Sequence, residues 1–468
     1  MKKIILSFFL MVVGISLIAQ TYQPNWASID SRPVPTWFED AKFGIFIHWG
    51  LYSVPAWAPT NKDISVYAKY AEWYWPRIVG ETDPNAQKGD VNKLFVDHHK
   101  KIWGENFKYQ DFAPLFKAEE FNPDKWADVI DGAGAKYVVL TSKHHEGFTL
   151  WPSAQSSNWN SVDVGPHRDL CGDLTKSIRA SGLHMGFYYS LYEWFNPLCK
   201  SDLNKYVDDH MIPQLKDLVT RYQPDVVWTD GEWDHPSEAW KSTQFLAWLY
   251  NESPVKNTVV VNDRWGKETR SKHGGIYTTE YDLVHEGNAN ETKFEHPWEE
   301  CRGIAGSFGY NRNEVLEDYS TSEELVHILI NKVARGGNLL LNIGPTADGR
   351  IPVIMQQRLA DMGSWLKVNG EAIYSTRKWD KAPAVKPETT VYFTKKGADL
   401  YVIVTKWQDN PIVVEGISKT GGVSMLGFGG KVKSSFSGNK LTITPPAISP
   451  ATIPCNYAWV FKVQNTNN

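Results

Sequence analysis

From Ala41 to about Thr376 the chain repeats one unit: a short β-prone apolar run, a polar or aromatic cluster, then a longer stretch with helical periodicity. That alternation is the strongest constraint on the fold. A strand followed by a helix-length crossover pairs in parallel with the next strand, so a series of such units builds a β/α architecture. The runs are Phe43–Ile47, Tyr137–Thr141, Met185–Tyr189, Asp225–Thr229, Val259–Val261, Ile276–Thr279 and Asn338–Ile343. Helical stretches follow Asn122-Pro123, where an N-cap precedes its N1 proline, and cover Leu203–Tyr222, Pro236–Asn251, Ser322–Arg335 and Val353–Val368. The series predicts a (β/α)8-like barrel with some irregular strands. A doubly wound open sheet is the competing fold, but no G-x-G-x-x-G segment follows any strand.

Beyond Thr376 the texture changes to short strand patterns, Val391–Thr394, Leu400–Thr405, Ile412–Val414, Lys440–Thr444 and Ala458–Val463, separated by Lys-Gly, Asp-Asn-Pro, Gly-Gly and Pro-Pro turns. This predicts a small C-terminal all-β sandwich with a packing or solubility role. The first twenty residues read Lys2-Lys3 and then an apolar run from Ile4 to Ile18, the pattern of a secretory signal and too short for a membrane span. The expected division is therefore a signal peptide over 1–20, the barrel over 21–376 and the sandwich over 377–468. The mature protein is expected to be exported, periplasmic or secreted, with no membrane anchor. Four widely spaced cysteines suggest no disulfide framework, although one incidental bridge is compatible with them.

A formal net charge of -4 argues against a nucleic-acid partner. The 21 Trp, 21 Tyr and 20 Phe exceed what a core of this size requires and suit a pocket that grips ring-shaped ligands, sugars first.

In a parallel barrel, functional side chains gather where strands end in βα loops. Here those ends read His48-Trp49-Gly50, Lys143-His144-His145-Glu146, Ser190, Asp230-Gly231-Glu232-Trp233, Asn262-Asp263-Arg264-Trp265 and Glu280-Tyr281. Each has a dull reading alone: Asp230 before glycine as a turn residue, the histidines as satisfied strand-end groups, Arg264 as a structural partner of a carboxylate. Their recurrence at the same place in successive units favours a site. Carboxylates, neutral donors, a guanidinium and many rings make a glycosidase inventory. One carboxylate must stay ionised beside the anomeric carbon, a role that suits Asp230 among His and Arg donors, and a second acid must keep its proton. His48, His144 and His145 can hydrogen-bond sugar hydroxyls, while Trp73, Trp228 and Phe308 can wall the ring.

A zinc centre from His48, His144, His145 and Asp230 is the rival reading. Adjacent histidines on a strand point to opposite sides unless it kinks, and no H-E-x-x-H occurs, so neither metal nor cofactor is expected. No G-x-S-x-G elbow is present either. The long Thr60–Pro114 stretch reads as loops over the active face, with His98-His99 on a solvated helix face.

The motifs Phe43-Gly-Ile-Phe-Ile-His-Trp-Gly, Tyr70-Ala-Glu-Trp-Tyr, Thr141-Ser-Lys-His-His-Glu-Gly-Phe, Trp228-Thr-Asp-Gly-Glu-Trp, Val261-Asn-Asp-Arg-Trp-Gly and Ser307-Phe-Gly-Tyr-Asn fall in order along the chain. Through them, from about Ser31 to Trp379, the chain resembles the α-L-fucosidases of glycoside hydrolase family 29. The resemblance implies an exo-acting retaining hydrolase of terminal α-L-fucose on fucosylated glycans, with Asp230 as nucleophile. It places His48, Glu72, Trp73, His144, His145, Tyr188, Trp228, Arg264 and Phe308 on fucose-holding positions, Phe308 facing the sugar's methyl group. Glu280 is the expected acid/base, with Glu299 and Asp282 as rivals, and retention calls for carboxyl groups about 5 to 5.5 Å apart. A fucose-binding lectin-like inactive relative and an α-L-galactosidase are the alternatives. The motifs set neither the linkage cleaved nor the oligomeric state, and a homo-oligomer is compatible with them.

Overall fold

The computed structural model describes residues 21–80, 90–284, 287–288 and 295–466. The expected signal peptide, 1–20, lies outside the described residues. Among the described residues no helix is long and apolar enough to cross a membrane.

The first large sheet contains β1 (Phe43–Ile47), β2 (Tyr137–Lys143), β3 (His184–Ser190), β4 (Val226–Asp230), β5 (Val260–Val261), β6 (Tyr277–Glu280), β7 (Leu283–Val284), β8 (Gly287–Asn288), β9 (Trp298–Gly303) and β10 (Asn338–Ile343). Their order is β5-β4-β3-β2-β1-β10-β9-β6-β7-β8. From β5 to β6 all pairings are parallel, giving the eight strands of a curled (β/α)8-like barrel, and β7 and β8 extend it antiparallel. No ladder joins β5 to β6 among the described residues. That seam is crossed by hydrogen bonds from Ile276 N to Val261 O (2.9 Å) and Gly275 N to Asn262 O (3.2 Å).

The eighth parallel strand, β9, is one the sequence pattern does not reveal. Trp-Glu-Glu-Cys-Arg-Gly carries three charges, yet the strand is buried along almost its whole length because its acids find partners on both faces, Glu299 with Tyr137 and Trp228 in the barrel interior and Glu300 with Thr279 Oγ1 and Asp282 N on the other side. The helices largely follow their signals. Asn122 caps Pro123–Gly132 by accepting from Lys125 N at 3.0 Å, and Thr321 and Glu324 close a capping box at the start of Ser322–Ala334. The long stretch predicted over Leu203–Tyr222 is instead Leu203–Tyr206, a π turn at Val207–Met211 and Ile212–Tyr222. The helix expected over Pro236–Asn251 starts only at Ser242, after Lys241 takes a left-handed backbone conformation.

The C-terminal sheets contain β11 (Arg377–Lys378), β12 (Val391–Lys396), β13 (Asp399–Val404), β14 (Ile412–Glu415), β15 (Gly422–Met425), β16 (Lys433–Ser437), β17 (Lys440–Thr444) and β18 (Trp459–Gln464). They form a five-stranded sheet, β11-β12-β13-β18-β15, and a three-stranded one, β14-β17-β16. Strand periodicity divides β13 between two cores: Leu400, Val402 and Val404 pack toward the smaller sheet, whereas Tyr401 and Ile403 join the core that contains the barrel helices. Trp365 Nε1 donates to Ala458 O at 2.9 Å, and Thr394 Oγ1 to Ala372 O at 2.7 Å, across the same junction. All four cysteines are free thiols.

Candidate active site

Asp230 is the last residue of β4, and Gly231 then turns the chain at φ +77°, where a Cβ would meet Ser190 Oγ at 2.9 Å. Glycine is required there on both counts. Asp230 Oδ1 accepts from Arg264 Nη1 at 3.0 Å, and Oδ2 from the Tyr188 hydroxyl at 3.0 Å. Arg270 Nη2 stands 3.6 Å from Oδ1, and His145 Nε2 3.9 Å from Oδ2. Burial works against charge on Asp230, but the Arg264 guanidinium, and after it that of Arg270, overcomes it and holds the carboxyl well below its ordinary range.

Arg264 joins this carboxylate to a second. Its Nη2 donates to Glu280 Oε2 at 3.1 Å, its Nε to Thr278 Oγ1 at 3.1 Å, and its guanidinium carbon lies 4.4 Å from the Trp228 ring centroid. Glu280, at the end of β6, accepts a further bond at Oε1 from the Tyr70 hydroxyl at 2.7 Å. The ends of β4 and β6 thus present two carboxyl groups to the two terminal nitrogens of one guanidinium, the planar fork that suits such bridging.

The register of β2 against β3 shifts between Thr141 and Lys143. That irregularity supplies the kink needed for both following histidines to turn the same way: the rings of His144 and His145 lie 4.1 Å apart, and both approach Tyr188. His145 Nδ1 is 2.6 Å from Ser190 Oγ, and His48 Nδ1 is 2.7 Å from Asn342 Oδ1. Burial and neighbouring His144 push His48 down to about 3 and His145 well below its ordinary value. Both imidazoles are neutral near pH 7, so the positive charge around Asp230 comes from the guanidiniums.

The inserted segment contributes Tyr70, Glu72 and Trp73, as expected of loops over this face. Glu72 Oε2 accepts from Gly309 N at 2.8 Å and Ser307 Oγ at 3.3 Å, and burial raises its carboxyl to about 7. Trp73 sits beside His145, Trp194 and Trp233, its ring 5.4 to 5.7 Å from theirs. Phe308 packs 4.8 Å from His48 and 5.3 Å from Tyr70, while Trp228 is buried behind Tyr188.

The two rivals of Glu280 are occupied elsewhere. Glu299 is 1% exposed in the barrel interior, accepting from the Tyr137 hydroxyl and, at 3.1 Å, from Trp228 Nε1. Asp282 pairs with Lys332 and, at 3.0 Å, with Arg302, ion pairs that keep it charged against burial. His99 departs from the solvated reading: it is buried, 2.8 Å from Phe107 O, and His98 stacks on Trp57 at 4.1 Å. The residues that sequence reasoning passes over are Arg270, Tyr70, Ser190 and Trp194. Tyr70 and Ser190 stand in motifs or strand ends already singled out, whereas Arg270 lies in a Lys-Glu-Thr-Arg-Ser-Lys run that reads as solvent-facing. Among the described residues no group of three or more His, Cys, Asp or Glu side chains is arranged to hold a metal ion.

Comparison with known proteins places this geometry. The family model described as Alpha-L-fucosidase matches residues 10–371, and that described as Alpha-L-fucosidase C-terminal domain matches 386–464. An alpha-L-fucosidase of Branchiostoma floridae is 46% identical over 455 residues, 95% of this chain and 96% of its own. The tissue alpha-L-fucosidase of Homo sapiens is 44% identical, over 94% of this chain and 91% of its own. The crystal structure of Thermotoga maritima alpha-fucosidase in complex with fucose superposes with a TM-score of 0.76 at 38% identity, covering 94% of this chain and 100% of that one. The chain belongs to the alpha-L-fucosidase family of glycoside hydrolases, family 29.

Proposed function

We propose that this glycoside hydrolase removes terminal α-L-fucose from glycans by double displacement, with Asp230 as nucleophile and Glu280 as acid/base. The single observation that carries the assignment is the Arg264 fork holding both carboxyl groups, at the ends of β4 and β6. Asp230, held by two guanidiniums and a phenol, suits the anionic nucleophile; Glu280, at the end of β6 on the other nitrogen of the Arg264 fork, is placed to serve as the acid/base.

In the first step an Asp230 oxygen bonds to C1 of fucose while the C1–O bond to the aglycone breaks, and the Glu280 proton goes to the departing oxygen. In the second, Glu280 as carboxylate takes a proton from water, the water oxygen bonds to C1, and the bond to Asp230 breaks. Neutral His48 and His145, with His144, Glu72 and Tyr188, are suited to the sugar hydroxyls. Trp73 supplies a wall beside them, and Phe308 an apolar surface for the methyl group. The charged Lys2-Lys3 followed by the apolar Ile4–Ile18 run supports export of the mature chain, with the barrel over 21–376 carrying the site and 377–468 packed against it.

The test is a panel of aryl glycosides on the wild type and Asp230→Gly. The α-L-fucoside should be cleaved by the wild type, with a loss of roughly 10⁴-fold in the variant. Partial recovery with added azide supports the covalent route, and equal activity in both proteins removes Asp230 from the nucleophile's role.

A further inference from the structure

Two residues past the nucleophile lies a second acid that the double displacement does not use. Glu232 is wholly buried, and its Oε1 accepts from Arg270 Nε at 2.6 Å. Its Oε2 is buried without a hydrogen-bond partner among the described residues. The tether to Arg270 is therefore the principal polar contact of the side chain. The backbone on both sides is fixed: Trp240 Nε1 donates to Glu232 O at 3.2 Å, Ser271 N donates to Asp263 Oδ2 at 2.8 Å, and Thr269 Oγ1 bonds to Asp263 O at 2.6 Å.

With its Nε committed to Glu232, Arg270 turns its far nitrogen toward Asp230 Oδ1 and stops 3.6 Å away, beyond the 3.0 Å at which Arg264 binds the same oxygen. A hydrogen bond at the shorter distance engages a lone pair that the nucleophile needs. A positive charge held slightly farther off stabilises the anion and leaves that lone pair less committed. We infer that Glu232 and Arg270 are a positioning pair for the nucleophile, Glu232 aiming the guanidinium so that it supports the charge of Asp230 without binding it tightly. This rests on Asp230 being the nucleophile.

The titratable and charged groups facing the pair are Asp230, Asp263, Tyr67 and the Arg264 guanidinium, and those facing Asp230 itself are Arg264, His145, His48 and Tyr188. Burial lifts the Glu232 carboxyl above its ordinary value against the pull of Arg270. Neutral or charged, Glu232 keeps an oxygen that can accept from Arg270 Nε, so the tether survives either state.

The experiment is the pH profile of kcat/KM on an aryl α-L-fucoside, whose acid limb reports ionisation of the free enzyme's nucleophile. Arg270→Met and Glu232→Ala should each raise that limb by about one pH unit, the size of effect expected when a nearby opposite charge is lost or misdirected. Glu232→Gln, which keeps an acceptor for Nε, should return the limb to the wild-type position. Activity depressed evenly at all pH values, with the limb unmoved in Arg270→Met and Glu232→Ala, would reveal a merely structural role and overturn the pairing. If Arg270→Met fails to fold, Arg270→Lys decides: one ammonium cannot serve both carboxyls in the same geometry, so a raised limb supports the pairing and an unmoved one overturns it. Asp230→Gly, measured alongside, separates the two assignments. Loss of activity there with an unmoved limb in the Arg270 variant removes this pair alone, whereas undiminished activity removes the nucleophile and the pair with it.

Discussion

Two layers of the barrel interior hold carboxyl groups in opposite electrostatic surroundings, one strand repeat apart. At the upper layer stand Asp230 and Glu280. Two residues earlier on the same strands stand Trp228 and Thr278, and β9 places Glu299 at the level of Thr278. The upper acids meet guanidiniums; Glu299 meets only neutral donors, a phenol and an indole, and burial raises it to about 7. Depth alone does not explain the difference, because Asp230 and Arg264 are themselves largely desolvated. What separates the layers is whether a charge of opposite sign stands within hydrogen-bond reach. Trp228 links the two, its indole nitrogen on Glu299 and its ring under Arg264.

If the upper layer is the chemical one, its second acid must matter most where the leaving group needs a proton. Glu280→Ala should lower kcat on natural fucosylated oligosaccharides by about 10²–10⁴-fold, with a much smaller loss on an aryl fucoside whose phenol departs unaided. Equal losses on both substrates would transfer the acid/base role away from Glu280.

Removing the charge that distinguishes the layers is the next largest change. Arg264→Met leaves two carboxyl groups facing each other in a buried site, and breaking such a pair costs about 3–5 kcal/mol. In the wild type the depressed carboxyl of Asp230 contributes stability above its unfolded pKa that is lost as pH falls through the folded value. In the variant that contribution disappears and mutual repulsion favours protonation. Chemical denaturation should therefore show the deficit largest near neutral pH and shrinking toward pH 4. A deficit independent of pH would mean that Arg264 acts by packing on Trp228 rather than by charge.

Much of the upper layer was legible because its residues stand at the ends of apolar β-runs, where period-two burial gives way to polar groups. Asp230 after Val-Val-Trp-Thr and Glu280 after Tyr-Thr-Thr are of that kind. The lower layer was not. Glu299 lies inside Trp-Glu-Glu-Cys-Arg-Gly, whose charges hide a strand that only its partners on β2, β4 and β6 make tenable. The inward turn of both His144 and His145 depends on a register shift against β3, a pairing property with no local sequence signal. Arg270 is hidden differently: its neighbours are polar, and only the fold brings it over Asp230. In the C-terminal region the buried central strands β12, β13 and β18 show clear apolar patterns, whereas β16, exposed along its length, offers Lys-Ser-Ser-Phe-Ser and no inward face to read.

The smallest expected effect tests the lower layer most directly. Glu299 keeps its proton in the folded chain up to about 7, whereas an unfolded glutamate releases it near 4.5. Between those values the native state binds more protons than the unfolded one, so this residue makes stability fall as pH rises from 4.5 to 7. Glu299→Gln cannot ionise and removes that slope. Its amide oxygen can take one of the two places, accepting from Trp228 Nε1, while its NH₂ must stand in the other, facing the Tyr137 hydroxyl that donated to the acid, at a cost of about 1 kcal/mol. The variant should accordingly be slightly less stable than the wild type at pH 4.5, and the gap should narrow or reverse by pH 7.5, by on the order of 1–3 kcal/mol. Glu72 and Glu314, also raised by burial, to about 7 and about 8, impose their own slopes equally on both proteins, so the difference in melting temperature isolates Glu299. A gap that widens as pH rises would mean that Glu299 is already ionised in the folded barrel, and that the two layers are held by the same kind of interaction after all.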